Sequence, residues 1–552
     1  LRSLSRYEDS LNSYDKALKL LPEDQGSWYG RGESLRHLGQ YDQSVAAFDK
    51  ALRLHPRSAA SLFGKGQSLQ SLGRFERALV CLDKALRLDS GNPSIWYCKG
   101  MCLLALKRFD KAIAAFDRAT SIDPAEAGSW LGKGRGLHGK GWFARAVSSF
   151  DEAIKIDTGF TAAWFSRGES LLGLERYEDA IESFDKALEI ESRHERAWHG
   201  RGLGFHGLGE FARAIESFDK ALAVDAEDGD AWCGRGLSLH ALGRYVEAVR
   251  SYDSALVVDE DFQQAWFARA ESMRELRRFE DAIKSYGRAL KLDPRDAGSW
   301  FGKGVSQHTL GLREEAIASL DKSVHYEPGD AAVWYTRGVC LYEAGSYQRA
   351  VNSFDKGLKR NPKDSIAWLA RGESLQRLER HEEAIRNFNR AIRLDAGFAE
   401  AWFRKGLSLE SLGRLDRAID SLDRAIALDN LYAAAWFNKG RVLNRLRRFD
   451  HALASFDEAL VVDDRMTRAW HHRGVSLNSL GRFDEAVVSF DRALAIDDRN
   501  EQTWNGMGLS LHSLGRFDEA IRSFDKALDI DQNYADAWAS KGVSLRELAR
   551  KR

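Results

Sequence analysis

Cysteine and proline are both scarce in this chain of 552 residues, which holds five of the first and seven of the second. Cys81, Cys98, Cys102, Cys233 and Cys340 form an odd set with no framework of spacings. That excludes a disulfide-stapled scaffold and points to a reducing, cytoplasmic setting. So few prolines leave little room for long irregular loops. Charge of one sign is missing too: 82 Lys and Arg stand against 82 Asp and Glu. A global electrostatic footprint for nucleic acid is therefore absent. No apolar run approaches the roughly 20 residues that a membrane span requires, so no membrane partner is expected. The chain opens at Leu1 with no initiator Met and no signal-peptide pattern. It reads as part of a longer protein, whose targeting signals would lie elsewhere.

What the chain has is a period. Tryptophan stands at 28, then at 96, 130, 164, 198, 232 and onward to 538 in steps of 34; Leu62 fills the missing place and only Trp142 lies off the grid. Four residues after each grid position comes glycine, from Gly32 to Gly542, with Ala270 the exception. Sixteen after it comes alanine (Ser44 at the first), and twenty after it an aromatic residue or Leu, such as Phe48, Leu82, Phe116 and Tyr252. Then follow Ala, a Leu or Ile, often Asp, and in some units Pro.

The spacing has a physical meaning. Trp164, Gly168, Leu171 and Leu174 fall on one helical face; Tyr177, Ala180, Ile181, Phe184, Ala187 and Leu188 fall on another. A short turn separates them, often with Gly as at Gly39, Gly73 and Gly413, which suits a helix C-terminus. Each unit is thus a pair of antiparallel helices, A then B. One pair cannot bury its own apolar faces, so pairs must stack. The predicted class is an all-α solenoid: a partial unit at 1–24, mainly helix B, fifteen full units over 25–534, and a last helix A at 535–552 acting as a cap.

Period 34 with Trp, Gly, Tyr or Phe, Ala, Phe, Ala and Pro in this order resembles the tetratricopeptide repeat along the whole chain. The resemblance implies a right-handed superhelix of more than one turn, with the A helices lining its concave side, and a role in binding other proteins. A pentatricopeptide reading, which would mean RNA recognition base by base, fits worse: its period is one residue longer and the Trp/Gly pair is not its signature.

The residue before the repeating Gly departs from the family pattern, where Leu is usual. Here it is basic at Arg31, Lys65, Lys99, Lys133, Arg167, Arg201 and on through Lys541, and Met507 alone differs. Two readings stand. The heads pair with the recurrent Asp of helix B (Asp49, Asp83, Asp117) or the Asp near its end (Asp89, Asp123, Asp157), or they form a stripe for a polyanion.

No catalytic constellation and no cofactor site assembles, and the chain reads as a non-enzyme. The run from Gly134 to Gly141 is one residue short of a phosphate-binding loop, ends in Gly141 where Ser or Thr should stand, and follows helix rather than strand. Cys98 and Cys102, one helical turn apart, are too few ligands for a structural zinc and read as buried thiols.

In the family, helix A positions one, two, five and eight or nine after the grid Trp face the groove. The first of these is often aromatic: Tyr29, Phe63, Tyr97, Phe165, Phe267, Phe301 and Tyr335. Two stretches carry further candidates. Over 127–241 the A helices hold Gly132, Gly136, Gly139, Gly200, Gly204 and Gly207, as though something approaches the backbone, together with His138, His206, His240 and His199. Over 400–512 the groove positions are Arg404, Asn438, Arg441, Asn444, Arg445, His471, His472, Asn478, Asn505 and His512. This second stretch suits an acidic segment or a chain terminus. Chaperone tails are not expected, because their two-carboxylate clamp implies Lys directly after the grid Trp and no unit has it.

Residues 545–552 close on Arg550-Lys551-Arg552, a charged end that would shield the apolar stack, whereas residues 1–7 match the end of a helix A and leave an open face before the first helix B. The leading functional expectation is a scaffold, or the recognition region of a larger regulatory protein, that holds a protein or peptide in its groove. Head-to-tail self-association through the open N-terminal end is a second expectation. Substrate selection for a catalytic domain outside the chain is a third.

Overall fold

The computed structural model describes residues 2–551. Among them lie thirty-two α-helices and no strand. From Gln25 onward the helices alternate: an A helix of about thirteen residues (Gln25–His37, Ala59–Ser71), then a B helix of fourteen (Tyr41–Leu54, Phe75–Leu88). The chain falls into two compact units, one up to Ser285 and one from Tyr286. Each is an all-α solenoid of stacked helix pairs.

Local chemistry starts and stops these helices. Most A helices open on a side-chain cap: Asp24 accepts from the Ser27 N–H at 2.7 Å, Asp228 from Ala231 at 2.9 Å and Asn500 from Thr503 at 2.8 Å. The A helices end in a tight left-handed turn. Gly39 has φ of 75°, and the next N–H, that of Gln40, reaches back to the Leu35 carbonyl at 2.9 Å. Five repeats make the same turn without glycine: Lys107, Glu175, Arg277, Glu379 and Arg447 have φ of 57–59°. A side chain there meets the strain that glycine avoids. Glu175→Gly and Arg447→Gly are each expected to stabilise by about 0.5–1 kcal/mol, read as a raised urea midpoint at unchanged slope.

The core repeats one wedge. The Phe184 ring is fully buried and lies against Gly168 of its own A helix and Gly200 of the next; a Cβ at these glycines would come within 2.6 and 2.5 Å of the ring. Phe116 and Phe218 do the same in their repeats. The indole N–H of nearly every grid Trp staples its helix to the preceding turn, as Trp164 does to the Thr158 carbonyl at 3.0 Å.

The basic row is structural almost throughout. Arg31 binds Asp15 at 2.7 Å, Lys65 binds Asp49 at 2.5 Å and Lys133 binds Asp117 at 2.8 Å, each sixteen residues back on the preceding B helix. Many of these cations also sit over their Trp, Lys133 at 4.9 Å from the Trp130 centroid. The later Asp is used otherwise: Asp157 accepts the Gly159 N–H at 2.9 Å and shapes the turn.

The ends differ from expectation. Arg2–Leu20 is one continuous helix, with no break after residue 7; Leu1 and Arg552 lie outside the described residues. The last helix, Ala535–Lys551, leaves Trp538, Val543 and Leu545 exposed as well as its charges, because no helix of the chain packs over that side.

Candidate functional site

In the first unit the A helices Ala127–Gly139, Thr161–Leu172, Glu195–Gly207 and Gly229–Ala241 present one face together. A depression of about 540 Å³ opens there, lined by His138, Phe165, Glu169, Leu172, Glu195, Arg196, His199, Gly200, Leu203, Asp228 and Asp230. A second, of about 550 Å³, shares His138, Phe165, Glu169 and Arg196 with it and adds Arg135, Phe150, Ala162, Ser166 and His194.

Phe165 stands between the two, held by the Phe184 ring at 5.9 Å and stacked on His194 at 4.9 Å. The Arg196 guanidinium lies 4.8 Å from its centroid and bonds Glu169 at 3.0 Å. At the other end His199 meets Asp228 at 3.2 Å. Burial would raise the Asp228 carboxyl, but hydrogen bonds from His199 and from the Ala231 N–H hold it below its ordinary value. Glu195 has no such donors. Burial and the charges of Asp228 and Asp225 push its carboxyl up. One end of the site is therefore acidic, with Glu195, Asp228 and Asp230; the other carries Arg135 and Arg196.

Of the residues singled out from sequence, His138, Phe165 and His199 line this site. His206 and His240 do not. His138, His206 and His240 each place Nδ1 against a serine of the next A helix, at 2.8 Å (Ser170), 3.0 Å (Ser238) and 2.8 Å (Ser272). His512 does likewise with Ser544 at 2.8 Å. The shared spacing of 32 residues marks a bond between neighbouring repeats. The close approach expected at the glycines comes from the protein itself: a Cβ at Gly139 would meet Phe109 at 2.5 Å, at Gly204 Ile181 at 2.7 Å and at Gly207 Tyr177 at 2.5 Å. The glycine run from Gly134 lies mostly inside the helix Ala127–Gly139. All five cysteines are free and buried, and burial lifts the Cys98 and Cys102 thiols to about 11 and about 12.

The 400–512 stretch, in the second unit, is less basic than its arginines suggest. Arg404 binds Glu400 at 2.6 Å and Glu373 at 2.9 Å; Arg441 and Arg445 share the buried Glu410 at 2.7 and 3.2 Å. Asn438 turns to its own helix, donating to the Ala434 carbonyl at 2.7 Å. Asn444 accepts from Ser476 at 2.8 Å and His471 meets Thr503 at 2.9 Å. His472 stacks on Phe456 at 5.9 Å, and burial first, then His471, Arg441 and Arg468, pushes its imidazole down to about 4. These side chains are largely engaged with one another.

Sequence reasoning missed Glu195, Arg196, Asp228 and Asp230, which precede the grid Trp and fall outside the groove rows considered. Glu169 and Arg135 lie five after the Trp, in a row that was considered, and comparison of charge along that row would have found them.

A family model described as tetratricopeptide repeat matches residues 1–59, 200–266, 267–324, 309–365, 335–397, 369–433, 403–465 and 437–501. Two more models of that description match 161–194 and 501–534. A model for anaphase-promoting complex, cyclosome, subunit 3 matches 37–119. No curated protein matches the chain. Among solved structures, the APC/C hetero-tetramer Cut9-Hcn1 is similar at 17% identity and a TM-score of 0.35, over 88% of this chain and 96% of that one. YrrB, described as a TPR protein with an unusual peptide-binding site, is similar at 26% identity and a TM-score of 0.31, over 34% of this chain and 97% of its own. MamA is similar at 26% identity and a TM-score of 0.29, over 31% and 92%. The repeat models cover more than half of the residues, and the packing of a Phe or Leu of helix B on the repeating glycine of helix A recurs along the helix pairs they span: the chain belongs to the tetratricopeptide-repeat family.

Proposed function

We propose that this protein is a scaffold that binds an extended polypeptide segment on the A-helix face of its first unit, and that it contributes binding rather than chemistry. The observation that carries the reading is the double depression around Phe165. It pairs an aromatic wall with an acidic end whose Glu195 has no cation of its own, so a ligand that brings a Lys, an Arg or an amine there gains a charge-assisted hydrogen bond. The Arg196 guanidinium, 4.8 Å from the Phe165 centroid, supports a wall that takes a planar cation. The Arg135 end suits a carboxylate on the same segment.

Selection from a random peptide library on the intact chain tests this. Selected peptides are expected to carry a basic residue and to lose about a hundredfold in affinity, roughly 2.7 kcal/mol, against a variant with Glu195→Arg and Asp230→Arg. Both side chains lie outside the core, so helicity and urea midpoint should be unchanged. Peptides that bind the variant as well as the natural chain would sink the site.

A further inference from the structure

The repeats serve as controls for one another, and one of them breaks the rule on the B-helix face. Thirteen cations of the basic row are paired with an Asp sixteen residues earlier. At two places that Asp is missing: Lys303 faces Gly287, and Lys405 faces Asn389. Lys405 sits half-buried, its ammonium 4.6 Å from the Trp402 centroid, and among the described residues no carboxylate binds it.

These positions line a groove between successive B helices. In the first unit it has a volume of about 520 Å³ and includes Asp83, Lys99, Lys111 and Arg118. In the second unit, one repeat after Lys405, it has about 580 Å³ and includes Asp423, Lys439, His451 and Glu458. In the repeat of Lys405 the same four places hold Asn389, Lys405, Arg417 and Arg424. The Asp that faces the Lys in the other two grooves is replaced by a neutral amide, and among the described residues neither arginine has an ion pair. Asp420 stands in this groove at the place that Ala114 and Ala454 hold in the other two, and among the described residues it has no ion pair; Glu382 binds Arg414 at 2.5 Å. At Lys303 the place of Arg417 is taken by Glu315, so that groove is not cationic.

We propose that the groove formed by Asn389, Lys405, Arg417 and Arg424 is an oxyanion site, which takes a phosphate or carboxylate group carried by a polypeptide partner. The anion would stand where the Asp stands in the other repeats, against the Lys405 ammonium, with the Asn389 amide as a further donor and the two arginines as a charged rim. Burial already holds the Lys405 ammonium below its ordinary value, the condition that a bound anion relieves.

Titration calorimetry of the full chain with pyrophosphate and, separately, with citrate tests the site at low salt. One site is expected, weakened at least tenfold by Asn389→Asp, which installs the residue that stands at this place in fourteen other repeats, and by Lys405→Gln. Lys303→Gln should leave it unchanged. Tighter pyrophosphate binding identifies a phosphate group as the ligand, and tighter citrate binding a carboxylate. Equal binding by the natural chain and the Asn389→Asp variant, an equal loss in Lys303→Gln, or no binding of either anion overturns the proposal.

Discussion

Truncating Phe184 to alanine is expected to cost about 3–5 kcal/mol, the range for a fully buried aromatic side chain. The ring has no solvent exposure and touches three helices at once: its own, Tyr177–Ile190, and the A helices on either side. Gly168 and Gly200 come so close because neither has a Cβ, so no neighbouring side chain can swing in to fill the space left behind. A solenoid repeat contacts only its neighbours, so the loss falls on one interface. Urea unfolding should therefore show a lower midpoint and a broader, less cooperative transition, as the repeats on the two sides uncouple. The exposed control Val257→Ala should shift the midpoint by less than about 0.5 kcal/mol. If Phe184→Ala behaves like that control, the wedge does not hold the repeats together.

Acid should weaken the second unit through His472. The imidazole lies among Phe437, Phe456 and His471, close enough to Arg441 and Arg468 that a further positive charge is disfavoured. Its value in the folded chain is about 4, against 6.5 for a free histidine. A lowered value means that the unfolded chain binds more protons between these limits, so stability rises with pH there. The contribution is fully present above pH 6.5 and is lost as pH falls toward 4, by about 3 kcal/mol. His471, also lowered by burial, acts in the same direction. His472→Phe keeps a ring between Phe437 and Phe456 but cannot be protonated. Urea midpoints at pH 7 and pH 4.5 should fall less for this variant than for the natural chain; an equal fall would show that His472 does not drive the acid response.

These expectations and the peptide site draw on different parts of the chain. The Phe184 wedge was legible in the sequence as an aromatic residue or Leu twenty places after each Trp. Its two glycine contacts were legible only as a repeating Gly and as a glycine-rich stretch that invited a ligand. The histidines show the same limit. Spacing put His138, His206 and His240 on one face correctly, but it did not reveal that Ser170, Ser238 and Ser272 come to meet two of them away from the pocket and one at its edge. The arginines of 400–512 looked free although Glu373 and Glu410 stand five and eight after their own Trp, in rows already named, because only the packing of one A helix on the next brings them together; Glu400 lies outside those rows.

By itself the sequence determined the helices, their pairing and the class of fold. A period of 34 with apolar residues three and four apart admits only stacked helix pairs, and capping and turn residues act within a few places along the chain. The tertiary structure decided which polar side chains are engaged within the chain. That depends on contacts 16 and 32 residues apart, where the packing of one helix on the next sets the distance. There it closed the glycine-lined backbone with aromatic rings, matched most of the basic row with aspartates, buried Phe165, and left Glu195 and Lys405 partly exposed.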